Sequence, residues 1–125
     1  MIAAPAVKLL IRASSMRSGE MAARMRAAVG DRAAITFSTD NGLIEVAQPG
    51  IDKASGLRIL ADIASLPSDA VVAFGDMPND VEMLGWAAHG VAMANAHAAA
   101  REAADEVTTS NDDEGVGRVL SRWFL

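Results

Sequence analysis

The hydrophobic and polar positions divide the chain into short alternating elements. Val7-Lys8-Leu9-Leu10-Ile11 predicts a strand. A helix follows from Ser18-Gly19-Glu20 to about Ala28. Met21, Met25 and Ala28 recur on one face, Arg17, Arg24 and Arg26 lie elsewhere, and Gly30-Asp31 ends it. Ala34 to Ser38 is β-branched and aromatic; after Asp40-Asn41-Gly42 comes a second run, Leu43 to Val46. Two such runs around Asn-Gly predict a β-hairpin with a tight turn. Pro49-Gly50 breaks the chain. Lys53 to Ala64 predicts a helix with Leu57, Leu60, Ala61 and Ala64 on one face. Ala70-Val71-Val72-Ala73-Phe74 has no alternation, the pattern of a strand buried on both faces of a parallel sheet.

Beyond it the pattern predicts a loop at Gly75 to Pro78, a short helix from Asp80 to Trp86 and a strand from Gly90 to Met93. An alanine-rich helix from Ala96 to Ala104, a strand from Glu106 to Thr109 and a terminal helix from Gly115 to Phe124 complete the chain. Asp112-Asp113-Glu114 places acids at the positive end of that last helix. From Lys53 onward, helix and strand alternate strictly, which is the order of an α/β layer fold with a mainly parallel sheet. The first fifty residues have an α+β order instead, so a boundary is expected between Pro49 and Asp52. No repeat or low-complexity segment interrupts either part.

Composition narrows the function classes. The chain has 125 residues, 51% of them hydrophobic and 22% charged, enough apolar content for one small core or part of a larger one. Alanine makes up about a fifth of the chain and favours helices. The net charge of -5 argues against nucleic acid and anionic membrane as partners. The absence of cysteine excludes a disulfide framework, a thiolate metal site and a cysteine nucleophile. Pro5 and Lys8 break the apolar start and Arg12 follows, so neither a transmembrane span nor a signal-peptide core fits. A soluble, cytoplasmic protein is expected.

The segment richest in chemistry is Val71-Val72-Ala73-Phe74-Gly75-Asp76-Met77-Pro78-Asn79-Asp80. A buried strand ends, a glycine frees the backbone and a carboxylate follows. In open α/β sheets this carboxyl edge is where ligands bind. A carboxylate there suits Mg²⁺, which takes one or two carboxylates and fills its shell with water or phosphate. The competing reading of Asn79 and Asp80 is helix capping. Lys53 is one of only two lysines beside nine arginines, and it stands at a helix start, where the dipole disfavours a cation unless an anion is near. A lysine serves phosphate as a compact charge, although an exposed surface lysine is the plainer reading.

Other polar and large residues carry less. His89 and His97 have no carboxylate at zinc-ligand spacing and read as a strand-start and a helix-start residue. The seven methionines read as core filling, and Trp86, Trp123 and Phe124 as packing anchors. Trp123-Phe124-Leu125 is expected to dock the C-terminus or to join an interface. Asp112-Asp113-Glu114 lacks the alternating ligands of a calcium loop.

Taken in series, the segments Ile51 to Leu57, Val72 to Leu84, Gly90 to Ala96, Ala104 to Thr108 and Asn111 to Val116 closely resemble the haloacid dehalogenase (HAD) superfamily. The likeness is to the C-terminal part of its Cof-type, sugar-phosphatase-like branch. The resemblance implies a domain assignment. Residues 1–50 correspond to part of an α+β cap, and residues 51–125 to the C-terminal half of a Rossmann-like core. It also implies roles. Lys53 matches the lysine that neutralises the nucleophile and the phosphate, Asp76 the Mg²⁺-binding aspartate, and Asn79 a phosphate-side contact. Asp80 matches a carboxylate of the metal site, and Asn95 a recurrent position at the active-site edge. The family hydrolyses phosphate esters of small molecules through an aspartyl-phosphate, with Mg²⁺ offsetting charge.

The departure from the family is as informative. Its nucleophile motif, Asp-x-Asp-Gly-Thr after an apolar strand, has no counterpart, because no Asp-x-Asp occurs in this sequence. The nearest decoy, Thr36 to Gly42, has a single aspartate and fits the hairpin better. None of Ser14, Ser15 and Ser18 has the core-strand context of the family's second motif. The resemblance therefore implies metal and phosphate residues without a nucleophile, and a chain inactive alone. It further implies an unpaired strand edge at Val71 to Phe74, hence a homodimer or a complex with a missing N-terminal half. The alternative is a non-catalytic, oligomeric binding or assembly module that reuses the fold.

Overall fold

The computed structural model describes residues 6 to 124. The chain divides between Asp52 and Lys53 into two compact units. The first contains β1 (Lys8–Arg12), α1 (Ser18–Val29), β2 (Ala34–Thr36) and β3 (Leu43–Ala47). Its sheet is antiparallel in the order β1-β3-β2, with Ile11 opposite Ile44 and Ile35 opposite Val46. Side chains two residues apart share a face. Ile35, Phe37 and Ile44 are buried together with Met21 and Ala22 of α1. Lys8 and Ser38 both bind the carboxylate of Glu45, which sits on the central strand.

β2 and β3 do pair as a hairpin, but not through a tight turn. Six residues, 37–42, connect them. The start of α1 determines the loop: Ser18 Oγ accepts hydrogen bonds from Gly42 N at 3.1 Å and Leu43 N at 3.0 Å, and Arg17 pairs with Asp40. Gly42 has φ +80°, and a Cβ there would stand 2.2 Å from the Ala13 carbonyl oxygen. Asn-Gly therefore supplies a left-handed residue, while contacts from α1 override the two-residue turn.

The second unit contains α2 (Lys53–Ala64), β4 (Val72–Gly75), α3 (Val81–Trp86), β5 (His89–Ala92), α4 (Ala98–Ala103), β6 (Glu106–Val107) and α5 (Gly115–Phe124). Its sheet is parallel in the order β4-β5-β6. Each parallel step needs a crossover, and α3 and α4 provide them. This is the α/β arrangement expected from the alternation. Leu84, Val91, Ala92, Ala100 and Val119 form the centre of the core with essentially no exposure. Burying a valine or leucine this fully contributes about 1.5–3 kcal/mol.

Two expectations about burial need correction. β4 is the sheet's edge strand, and its Val72 is exposed; β5 holds the central place instead. On α2 the buried residues are Ala54 and Ala61, whereas Leu60 is 56% exposed and Ile59 and Ile63 are exposed too, as is Leu66 just beyond the helix. The helical period locates an apolar stripe but cannot say how much of it the neighbouring elements cover. α4 begins two residues later than expected, because His97 Nδ1 accepts the Ala99 N–H and makes His97 the N-cap. Among the described residues, no helix is long and apolar enough to cross a membrane.

The terminal helix is tied to the sheet by charge. Glu106 on β6 bonds His89 Nε2 at 2.9 Å and receives Arg122 of α5 at 2.7 and 2.9 Å. Trp123 meets the His89 ring edge-on, with centroids 5.8 Å apart. Leu125 lies outside the described residues. The hydrogen bond from His89, then that from Arg122, holds the Glu106 carboxyl below its ordinary value of 4.5. A carboxyl lowered in the fold stabilises it above the unfolded value and loses that contribution as pH falls through the lowered one. Glu106→Gln is therefore expected to flatten the acid limb of stability below about pH 4.5. Urea midpoints read by tryptophan fluorescence between about pH 6 and pH 3 check this. An acid limb as steep as the wild type's would refute it.

Candidate active site

The candidate site is built on the carboxyl end of β4. Gly75 closes the strand, and Asp76 to Asp80 turn back beneath it. Met77 is extended (φ -122°, ψ 164°), the region to which a residue before proline is restricted. Pro78 then opens a 3₁₀ turn, Pro78–Asp80, which leads into α3. The turn buries Asp80 to 4% exposure.

Asp80 organises the loop. Its Oδ2 accepts from the backbone N–H of Asp76 and of Met77, each at 3.0 Å. Its Oδ1 accepts from Lys53 Nζ, which reaches over from the first turn of α2. Asp80 makes no side-chain cap bond to the start of α3; its carboxylate instead satisfies the backbone donors that precede it and anchors the lysine. This also answers why a cation sits at a helix start, since a buried anion lies beside it. Both Asp80 oxygens accept from protein donors, Oδ1 from Lys53 and Oδ2 from the loop backbone.

Asp76 contrasts with it. Its backbone is held on both sides, by Asp80 at the N–H and by the His97 N–H, which bonds its carbonyl at 2.8 Å. Its half-buried carboxylate has no hydrogen-bond or ion-pair partner among the described residues. Asn79 is also half-buried, and its Oδ1 is buried without a hydrogen-bond partner. An orphaned buried acceptor costs about 1–3 kcal/mol unless something donates to it. A water of a hydrated cation could donate there, whereas a phosphate oxygen would require the Nδ2 donors.

The structure therefore brings Lys53, Asp76, Asn79 and Asp80 to one strand end. Asn95 makes no side-chain hydrogen bond to any of the four and stands in a reciprocal pair with Asn111. Sequence reasoning gave Asn111 no role, although it opens the last of the family-like segments, Asn111 to Val116. The donor set fits Mg²⁺ as part of a shell. One uncommitted carboxylate, Asp76, with the unpartnered Asn79 Oδ1 three residues on in the same loop, suits an ion that keeps several waters. Among the described residues, no group of three His, Asp or Glu side chains could cage a metal.

Comparison with known proteins bears on the family of the fold. The family model for haloacid dehalogenase-like hydrolases matches residues 2–120. The chain is 40% identical over 82 residues to the 5-amino-6-(5-phospho-D-ribitylamino)uracil phosphatase YitU of Bacillus subtilis, which is 66% of this chain and 30% of that protein. It is 41% identical over 95 residues to the phosphatase YbjI of Escherichia coli, named for the same compound, covering 76% of this chain and 35% of that one. A haloacid dehalogenase-like hydrolase from Bacteroides thetaiotaomicron superposes with a TM-score of 0.71 at 31% identity, over 96% of this chain and 45% of that one. The chain thus spans about a third of the length of the curated relatives it matches. With a family model running almost end to end and the acidic loop built as described, this chain belongs to the haloacid dehalogenase-like hydrolase family.

Proposed function

We propose that this chain carries the cation-binding and phosphate-binding half of a Mg²⁺-dependent phosphate-monoester hydrolase. The observation that carries the reading is the single carboxylate of Asp80, which binds Lys53 and the Asp76–Met77 backbone at once. It draws a positive charge and an uncommitted carboxylate to one strand end. In this reading Asp76 holds the ion and Asn79 Oδ1 accepts from its hydration shell. Lys53 offsets phosphate charge, acting as a catalytic residue only when substrate is present. Bound there, Mg²⁺ would neutralise charge on the transferring phosphoryl group. Asp80 positions both Lys53 and Asp76. The substrate class is a phosphorylated small molecule, in keeping with the compound for which two relatives are named.

No Asp-x-Asp stands in this sequence, so the chain alone is expected to give no turnover of p-nitrophenyl phosphate with Mg²⁺. Activity is expected only on mixing with a chain that supplies an Asp-x-Asp strand. Turnover by this chain alone, lost in Asp76→Ala, would overturn the expectation.

A second reading, a non-catalytic assembly module, draws on the edge strand β4 and the exposed Ile59, Leu60, Ile63 and Leu66 of the α2 region. Parallel sheets are normally covered and apolar edges seek partners. Both readings predict association, as a homodimer or with a complementary half. A concentration-dependent mass above that of one chain is expected in light scattering. A monodisperse monomer at millimolar concentration would count against association. A stable assembly that never acquires turnover would favour the module.

A further inference from the structure

We propose that Asn95 and Asn111 are positioning residues for Asp76, which they reach through the His97 amide. This rests on the reading of Asp76 as the ion-holding carboxylate. The two asparagines bond each other reciprocally: Asn95 Nδ2 donates to Asn111 Oδ1 at 2.8 Å, and Asn111 N donates to Asn95 Oδ1 at 3.3 Å. Ala94 N donates to the Thr109 carbonyl at 3.3 Å, a parallel link between the same two loops. One edge of the segment Met93 to His97 is thereby clasped to the loop after β6. Its other edge carries two donors for the acidic loop: Met93 N bonds the Gly75 carbonyl at 3.1 Å, and His97 N bonds the Asp76 carbonyl at 2.8 Å.

The connection is short and almost wholly backbone. Asp80 fixes the N–H side of Asp76, and the clasped segment fixes its carbonyl side. Only the side chain is left to meet a ligand. A peptide held at both ends presents its carboxylate in one direction and loses less freedom when an ion arrives. Asn95 and Asn111 are exposed and fill no core, so packing does not account for their pairing. Asn95 donates and accepts through its side-chain amide, Asn111 accepts through Oδ1 and donates through its backbone N–H, and together they close a two-bond ring.

The test uses the full chain and amide hydrogen exchange followed by NMR. In Asn95→Ala and Asn111→Ala, exchange of the His97 N–H is expected to rise about tenfold, with Val91 in β5 unchanged. Asn111→Asp keeps an acceptor for Asn95 Nδ2 and is expected to exchange like wild type. A His97 rate within about twofold of wild type in both alanine variants would overturn the proposal. So would an Asn111→Asp rate equal to that of Asn111→Ala. A separate MgCl₂ titration of wild type, read at the Asp76 amide, judges the underlying reading. If wild type responds, Asn95→Ala is expected to weaken the apparent affinity about threefold. Faster His97 exchange with unchanged affinity would make the clasp a mere loop staple and overturn its positioning role. If wild type does not respond, the ion leaves the proposal and His97 exchange alone decides whether the clasp holds Asp76.

Discussion

Asp80→Ala is expected to destabilise the second unit by about 3 kcal/mol. Three donors lose their acceptor at once: the N–H groups of Asp76 and Met77, and Lys53 Nζ. The lysine is half exposed and can turn to water, so its share of the loss is small. The two backbone groups are the expensive ones, because they lie in a part-buried loop with Asp80 as their acceptor. Asp80→Asn retains one oxygen for those N–H groups but presents an amide donor to the lysine. It should cost about half as much. Lys53→Met leaves the carboxylate with its two backbone bonds and should cost about 1–2 kcal/mol. Both tryptophans, Trp86 and Trp123, lie in the second unit, so fluorescence-detected urea unfolding reads this unit alone. An Asp80→Ala midpoint equal to wild type would show that water satisfies the loop and that Asp80 does not organise it.

Gly75→Ala should cost about 2 kcal/mol through the same residue. A Cβ at position 75 would stand 2.5 Å from Asp80 Cβ and 2.9 Å from its Cγ. The obstacle is the root of a buried side chain, which has nowhere to swing. The glycine is needed for close approach, since it lets the acid fold directly beneath the strand end. The signature is coupling: in an Asp80→Gly background the obstacle is gone, and Gly75→Ala should then be nearly neutral. Additive losses in that cycle would mean that the alanine disturbs β4 itself, and the close-approach argument would fail. Gly75→Ala should also loosen the Lys53–Asp80 pair, seen as a chemical-shift change at the lysine Cε.

These two predictions separate what is legible along the chain from what is not. The strand–glycine–aspartate run at Val72 to Asp76 and the helix opened by Lys53 are local patterns. The hydrophobic period, the freedom of glycine and the stiffness imposed by Pro78 act within a few residues. α2 and α5 begin and end where these patterns predict. The motif series then relates Lys53 to Asp76 by resemblance, without stating which atoms meet.

The remaining features depend on neighbours distant in sequence. Whether Asp80 ligates or supports is decided by donors from Lys53, 27 positions away, and from its own loop. The hairpin connection follows Ser18, more than twenty positions upstream, rather than its own Asn-Gly. Leu60 lies on the predicted apolar stripe yet is open to solvent, because a helix cannot encode how far its neighbours extend. Asn111 gains meaning only when β5 and β6 bring the loops that follow them side by side. By itself, then, the sequence determined the elements and the residue types at the strand end, since those arise from short-range sterics and periodicity. The tertiary structure alone decided which carboxylate is spent on protein donors and which remains open, because a hydrogen bond is assigned by proximity in space.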